Sequence, residues 1–241
     1  MAQRLRCVAV VGVLAVMVAS RAGPEGTKDQ GTAVTVLVDV SQSFVPFSRD
    51  DLAALRTVAE VIKQGASGAG WPTPVTIYWS TISSHSLFGV SVCGPPMRYQ
   101  PTLIPKEASD PSIIGSRGKL AYRLDECVKA IEQEGKMHPA PLTDLSGALA
   151  LAGELGREGQ RAYLIVISDF MEDSPATLVQ FHLHREAVAM LYKPETHDAP
   201  NANMLFRRLG EWEARFKAAG ATKVCRRPIK GLSADALAGC L

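Results

Sequence analysis

Thr35-Val36-Leu37-Val38-Asp39-Val40-Ser41-Gln42-Ser43 is the stretch on which the fold turns. Its opening residues are β-branched or aliphatic, the pattern of a strand buried on both faces. Asp39 stands where that strand leaves the core, and a carboxylate there is costly unless something pairs with it. Ser41 and Ser43 follow at alternate positions, so a carboxylate and two hydroxyls, all hard oxygen donors, share a short turn. A small divalent cation such as Mg²⁺ takes ligands of this kind. The same residues also suit a plain strand-to-helix turn in which Asp39 and the serines satisfy backbone amides. The segment by itself leaves both readings open.

Working outward, residues 23–32 are a Gly-rich polar lead-in and Ala33–Val38 is the first strand. Arg49–Gln64 sets Leu52, Leu55, Val58, Ala59 and Ile62 at helical spacing, with Ser48 as N-cap and Gly65 as stop. Val75–Trp79 predicts a second strand bracketed by Pro74 and Ser80, and Ser86–Cys93 a short antiparallel edge strand paired to it. Residues 94–118 carry Pro95, Pro96, Pro101, Pro105 and Pro111 with no clear period and predict a long insertion loop. Lys119–Glu134 reads as a helix on Leu120, Leu124, Val128 and Ile131, broken by His138-Pro139-Ala140-Pro141. A third helix, capped by Thr143 or Asp144, runs on through Leu155. Ala162–Ser168 is the most strand-like run in the chain, and it too ends on an aspartate, Asp169. Pro175–His184 reads as a short helix, Ala187–Tyr192 as a strand and Asn201–Ala219 as a long helix with Leu205, Leu209, Trp212 and Phe216 on one face. Val224 marks a last strand and Ser233–Cys240 a closing helix. This alternation predicts an α/β fold over 33–241: a single doubly wound, mostly parallel sheet with one short antiparallel edge strand and helices on both faces.

Composition and cysteine usage narrow the class. A hydrophobic content of 46% and a charged content of 21% in 241 residues are globular values that support a sizeable core. Residues 1–22 have the form of a secretory signal: Arg4 and Arg6, then an apolar run from Cys7 to Ala19, then small residues at cleavage spacing at Ser20 and Ala22, or at Val18 and Ser20. That run is shorter than the roughly 20 residues a membrane span needs. The expected location is therefore periplasmic or secreted, with a membrane anchor only if this segment stays uncleaved. Its removal takes Arg4, Arg6 and Arg21 and no acidic residue, lowering the formal charge from +2 to −1. A near-neutral chain makes no electrostatic case for nucleic acid, and Lys223, Arg226, Arg227 and Lys230 are too few to change that. Cys93, Cys127, Cys225 and Cys240 remain, an even number that in an exported chain suggests two disulfides. Three connectivities are possible, and proximity favours Cys93–Cys127 with Cys225–Cys240. No C-x-x-C spacing occurs, which argues against structural zinc.

Ligands in such sheets bind beyond the carboxyl ends of the strands. If the strands ending at Asp39 and Asp169 are neighbours, two carboxylates meet at one rim, and Thr143 lies at the start of the helix leading into the second of them. Asp39, Ser41, Ser43, Thr143 and Asp169 then become oxygen donors on three separate loops, enough for an octahedral Mg²⁺ with one position open. This ordered set, Asp39-x-Ser41-x-Ser43, then Thr143, then Asp169, resembles the metal-ion-dependent adhesion site of von Willebrand factor A domains, over roughly residues 33–225. The resemblance implies a Rossmann-like fold in which Ser41, Ser43 and Thr143 hold Mg²⁺ (Mn²⁺ or Ca²⁺ in its place) through hydroxyls. It also implies carboxylates from Asp39 and Asp169, often through water, and an open position filled by an Asp or Glu of a partner protein. The chain departs from the family where Pro141-Leu142 precedes Thr143, where Phe170 follows Asp169, and in the long Asp39–Thr143 separation.

Other residues carry less. Met171-Glu172-Asp173 reads as a solvated turn, Asp144 as a helix cap, and His182 and His184 as surface residues. His85, His138 and His197 stand alone in loops, and Trp71 is expected to pack. The expected function is an exported, metal-dependent protein-binding module rather than an enzyme. Two readings compete with it: a metal-dependent hydrolase, and a scaffold whose metal site is vestigial. Against the hydrolase, no G-x-S-x-G elbow and no phosphate-cradling glycine loop occurs.

Overall fold

Among the described residues, the computed structural model has seven strands and five helices in one alternating series. It describes residues 31–68, 70–84, 86, 91–101, 113–155, 160–173, 180–184, 186–193 and 202–241. The signal-like segment 1–22 lies outside them, as does the lead-in up to residue 30. The series runs β1 (Thr32–Asp39), α1 (Arg49–Ser67), β2 (Val75–Ile82), β3 (Met97–Tyr99), β4 (Ile113–Ile114) and α2 (Arg117–Met137). It continues with α3 (Leu145–Leu155), β5 (Arg161–Ser168), β6 (Ala187–Tyr192), α4 (Ala202–Ala218), β7 (Lys223–Pro228) and α5 (Ala234–Ala238).

The strands form one sheet in the order β4-β3-β2-β1-β5-β6-β7, parallel throughout except where β3 runs against β2. The unbroken apolar run of β1 is explained by its central place, with all eight of its residues buried. Strand alternation then splits the core in two. Val34, Val36, Val38, Tyr163, Ile165 and Ile167 face Leu55, Val58, Ile62, Leu120, Leu124 and Ile131 of α1 and α2. Leu37, Leu164, Val166, Val188 and Met190 face Leu149 of α3 and Leu209, Trp212 and Phe216 of α4. Each fully buried aliphatic side chain contributes roughly 1.5–3 kcal/mol of transfer energy, so this two-sided burial holds the strand ends rigid.

The helix ends follow local chemistry. Ser48 and Asp51 form a capping box at the start of α1, Ser48 N donating to Asp51 Oδ2 at 2.6 Å and Asp51 N to Ser48 Oγ at 3.2 Å. Gly65 does not stop α1, which runs on to Ser67. That glycine is a packing residue: a Cβ there would run into the Trp71 ring, itself stacked on Tyr163 with centroids 5.0 Å apart.

Three further expectations are corrected. The antiparallel partner of β2 is Met97–Tyr99, paired with Val75–Ile77, and not Ser86–Cys93, whose described residues are outside any strand. Flanking prolines at 96 and 101 keep β3 too short for a periodic signal. The stretch 94–118 is therefore not a featureless loop; it holds β3, β4 and the first residues of α2. Residues 180–184 are not helical, and the rest of the expected 175–184 helix falls outside the described residues up to 179. The cysteines pair as proximity suggested: Cys93–Cys127 with Cα atoms 4.8 Å apart and Cys225–Cys240 at 5.5 Å. Among the described residues no helix is long and apolar enough to cross a membrane.

Candidate metal centre

Adjacent parallel strands bring two of the candidate ligands to one rim. β1 and β5 pair in register through Val38 and Ile167, so Asp39 and Ser168 emerge side by side with Asp169 next. Asp39 is fully buried; its Oδ1 accepts the Ser41 amide at 2.8 Å and its Oδ2 the Ser168 hydroxyl at 2.7 Å. Ser41 is buried with its Oγ 3.0 Å from the Oγ of Ser43, which is exposed, so the cluster opens to solvent on the Ser43 side. The turn is wound onto the Ser41 carbonyl, which accepts from the amides of Phe44 at 3.0 Å and Val45 at 2.9 Å. The buried Phe44 ring anchors it. Lys193, just past β6, donates to the Phe44 carbonyl at 3.2 Å and to the buried Asp51 carboxylate at 3.1 Å, pinning the turn to α1.

The segment before α3 supplies the third loop. Ala140 bridges to Ser41, its amide donating to the Val40 carbonyl at 2.9 Å and its carbonyl accepting from Gln42 at 2.8 Å. Three residues on, Thr143 is fully buried and its Oγ1 has no hydrogen-bond partner. A buried hydroxyl left unpaired costs about 1–3 kcal/mol, and such atoms in a native fold call for an explanation. The Thr143 carbonyl accepts the Asp173 amide at 3.1 Å, which ties this loop to the one carrying Asp169. Asp144 caps α3: its Oδ1 accepts from Gly147 N at 2.8 Å and its Oδ2 from Ser86 N at 3.0 Å.

Electrostatics at the rim are unbalanced. Burial, and behind it the Asp169 carboxylate, push Asp39 up from 3.8 to about 7, against the hydrogen bonds from Ser41 and Ser168 that lower it. Asp169 is 5% exposed, and its Oδ1 accepts the Met171 amide at 2.9 Å. Neither carboxylate has an ion-pair partner among the described residues. No group of three or more His, Cys, Asp and Glu side chains placed to hold a metal occurs among them either. An orphaned buried hydroxyl, on a loop hydrogen-bonded to those that carry two uncompensated carboxylates, has the hard-oxygen chemistry of ligands for a cation such as Mg²⁺.

The structure thus places Asp39, Ser41 and Ser43 on one turn, Asp169 on the neighbouring strand end, and Thr143 on a loop hydrogen-bonded to both. Sequence reasoning missed the groups that support them. Ser168, the polar residue closing an apolar strand, was a readable signal. Lys193, just past β6, was another. Glu172 is not part of a solvated turn; it is half-buried, accepting from Ser146 N at 2.8 Å and Ser146 Oγ at 2.9 Å. His182 and His184 are exposed, and Trp71 packs. No protein-family model matches this sequence, and no curated protein matches it.

Proposed function

We propose that this chain is an exported, metal-dependent protein-binding module of the von Willebrand factor A type, whose cation site accepts an Asp or Glu carboxylate from a partner. The observation that carries the reading is the buried, partnerless hydroxyl of Thr143, on a loop tied to those of Asp39 and Asp169, whose carboxylates repel each other without a counter-ion among the described residues. Ser41, Ser43 and Thr143 would hold Mg²⁺ through hydroxyls, and Asp39 and Asp169 through carboxylates directly or by way of water. The bound ion would supply a hard Lewis-acidic position for an anionic oxygen. Three neutral donors leave much of the ion's charge uncompensated, which suits gripping a carboxylate. The exposed Ser43 marks the side from which a partner approaches. Two disulfides and the signal-like segment 1–22 support an oxidising, extracytoplasmic location.

Isothermal calorimetry of the purified protein with MgCl₂ tests the site. The expected outcome is a saturable heat that disappears in the Asp39→Ala variant and on addition of EDTA. A variant that binds as the parent does would sink the assignment.

A further inference from the structure

We propose that Glu172 is a positioning residue: it latches the Asp169 loop to the N-terminus of α3 and so holds Asp169 and Thr143 at the separation one cation requires. The inference rests on the metal-site reading above, but its evidence is a separate set of contacts. The first amides of a helix lack intrahelical acceptors. In α3, Asp144 takes the Gly147 amide, and the Ser146 amide is taken by Glu172 from 26 residues away in sequence. The Ser146 hydroxyl also bonds Glu172, and it accepts from Arg215 Nη2 at 3.0 Å. A guanidinium only donates, so the hydroxyl proton must point at Glu172. Arg215 is itself fixed by lying 3.9 Å over the Trp212 ring and 5.7 Å from that of Phe181.

The loop so held leaves little slack at the site. Phe170, between Asp169 and the latch, sits at φ 60°, a left-handed conformation unusual for a bulky residue. It is kept there by full burial of its ring and by its carbonyl accepting Trp212 Nε1 at 3.0 Å. Beyond the latch, the Asp173 amide reaches the Thr143 carbonyl. Asp169 and Thr143 therefore lie on the two sides of one closed path through Phe170, Glu172, Ser146 and α3. The second carboxylate oxygen of Glu172 is buried without a partner, so the side chain is not placed to satisfy itself.

Mg²⁺ affinity is to be measured by calorimetry for the wild type, Glu172→Ala and Glu172→Gln, alongside urea unfolding in EDTA. Groups that orient metal ligands typically change affinity by about 10–100-fold when removed, and Glu172→Ala is expected to weaken Mg²⁺ binding within that range. Glu172→Gln keeps an acceptor oxygen at Ser146 and is expected to bind more like the wild type than like the alanine variant. A purely structural role would lower the unfolding midpoint in EDTA and leave the affinity of the folded protein unchanged. That result, with wild type binding Mg²⁺, overturns the latch alone. Wild type giving no Mg²⁺ heat overturns the metal reading and the latch together. Should Glu172→Ala fail to fold, Glu172→Asp shortens the side chain by one methylene and draws the carboxylate back from both Ser146 donors; weakened affinity supports the latch and wild-type affinity overturns it.

Discussion

Asp39 keeps its proton to about pH 7 in the folded protein, whereas an aspartate free of these surroundings, as in the unfolded chain, releases it near 3.8. Between those values the native state binds a proton that the unfolded state has released, so the contribution of this group to stability falls as pH rises through the window. It is fully present below the lower value and lost above the upper one. At a site this buried, a gap of that width corresponds to about 4 kcal/mol. Glu172 and Glu186 are also raised, by burial first, and act with the same sign. The useful quantity is therefore a difference. In EDTA, the urea midpoint of the wild type is expected to drop more between pH 5 and pH 8 than that of Asp39→Asn. Equal slopes for the two proteins would show that Asp39 does not hold its proton in the fold. Mg²⁺ is expected to raise the wild-type midpoint more at pH 8 than at pH 5, since proton and cation compete for one carboxylate.

At the scale of elements, glycine positions separate packing from propensity. Gly65→Ala is expected to destabilise by about 1–3 kcal/mol despite better helix propensity, because the new methyl meets the Trp71 ring. Gly210→Ala, in α4 with open space around it, is expected to stabilise by about 0.5–1 kcal/mol. Urea unfolding of both variants checks the pair, and a stabilising Gly65→Ala would refute the packing account. The same contrast explains what was legible beforehand. β1, β5 and β6 carry unbroken apolar runs and α4 a helical period in their own residues, and their ends fell close to the observed ones. The strand ends also put Asp39 and Asp169 at neighbouring tips of β1 and β5, with Ser41 and Ser43 on the turn after β1, since those strands were readable. Short β3 has only three residues, with a proline close by on either side, and its strand character comes from pairing with β2. Glu172 and Arg215 look like solvated charges because their common partner, Ser146, is 26 and 69 residues away. That Thr143 would be buried without a partner depends on three loops meeting, which no local pattern encodes.

Across the whole molecule, the disulfides close the chain at both sides of the sheet's α1 face. The Cys225–Cys240 bridge spans 15 residues and ties β7 to the turn after α5, a helix of five residues whose Leu237 is fully buried. Loop-closure entropy makes such a bridge worth about 3 kcal/mol. The double variant Cys225→Ser/Cys240→Ser is expected to lose about that much by urea unfolding; no loss would mean the C-terminal turn is held by packing alone. The outer strands have a different consequence, for how copies of this chain meet. Among the described residues one margin of the sheet is β4, two residues long, and the other is β7. β7 exposes Lys223, Arg226 and Arg227, ends on Pro228, which lacks an amide proton, and is tethered by its disulfide. Short or cationic margins of this kind resist strand-to-strand growth into fibres. Among the described residues, neither margin offers a long, uncharged strand to which a second copy could add.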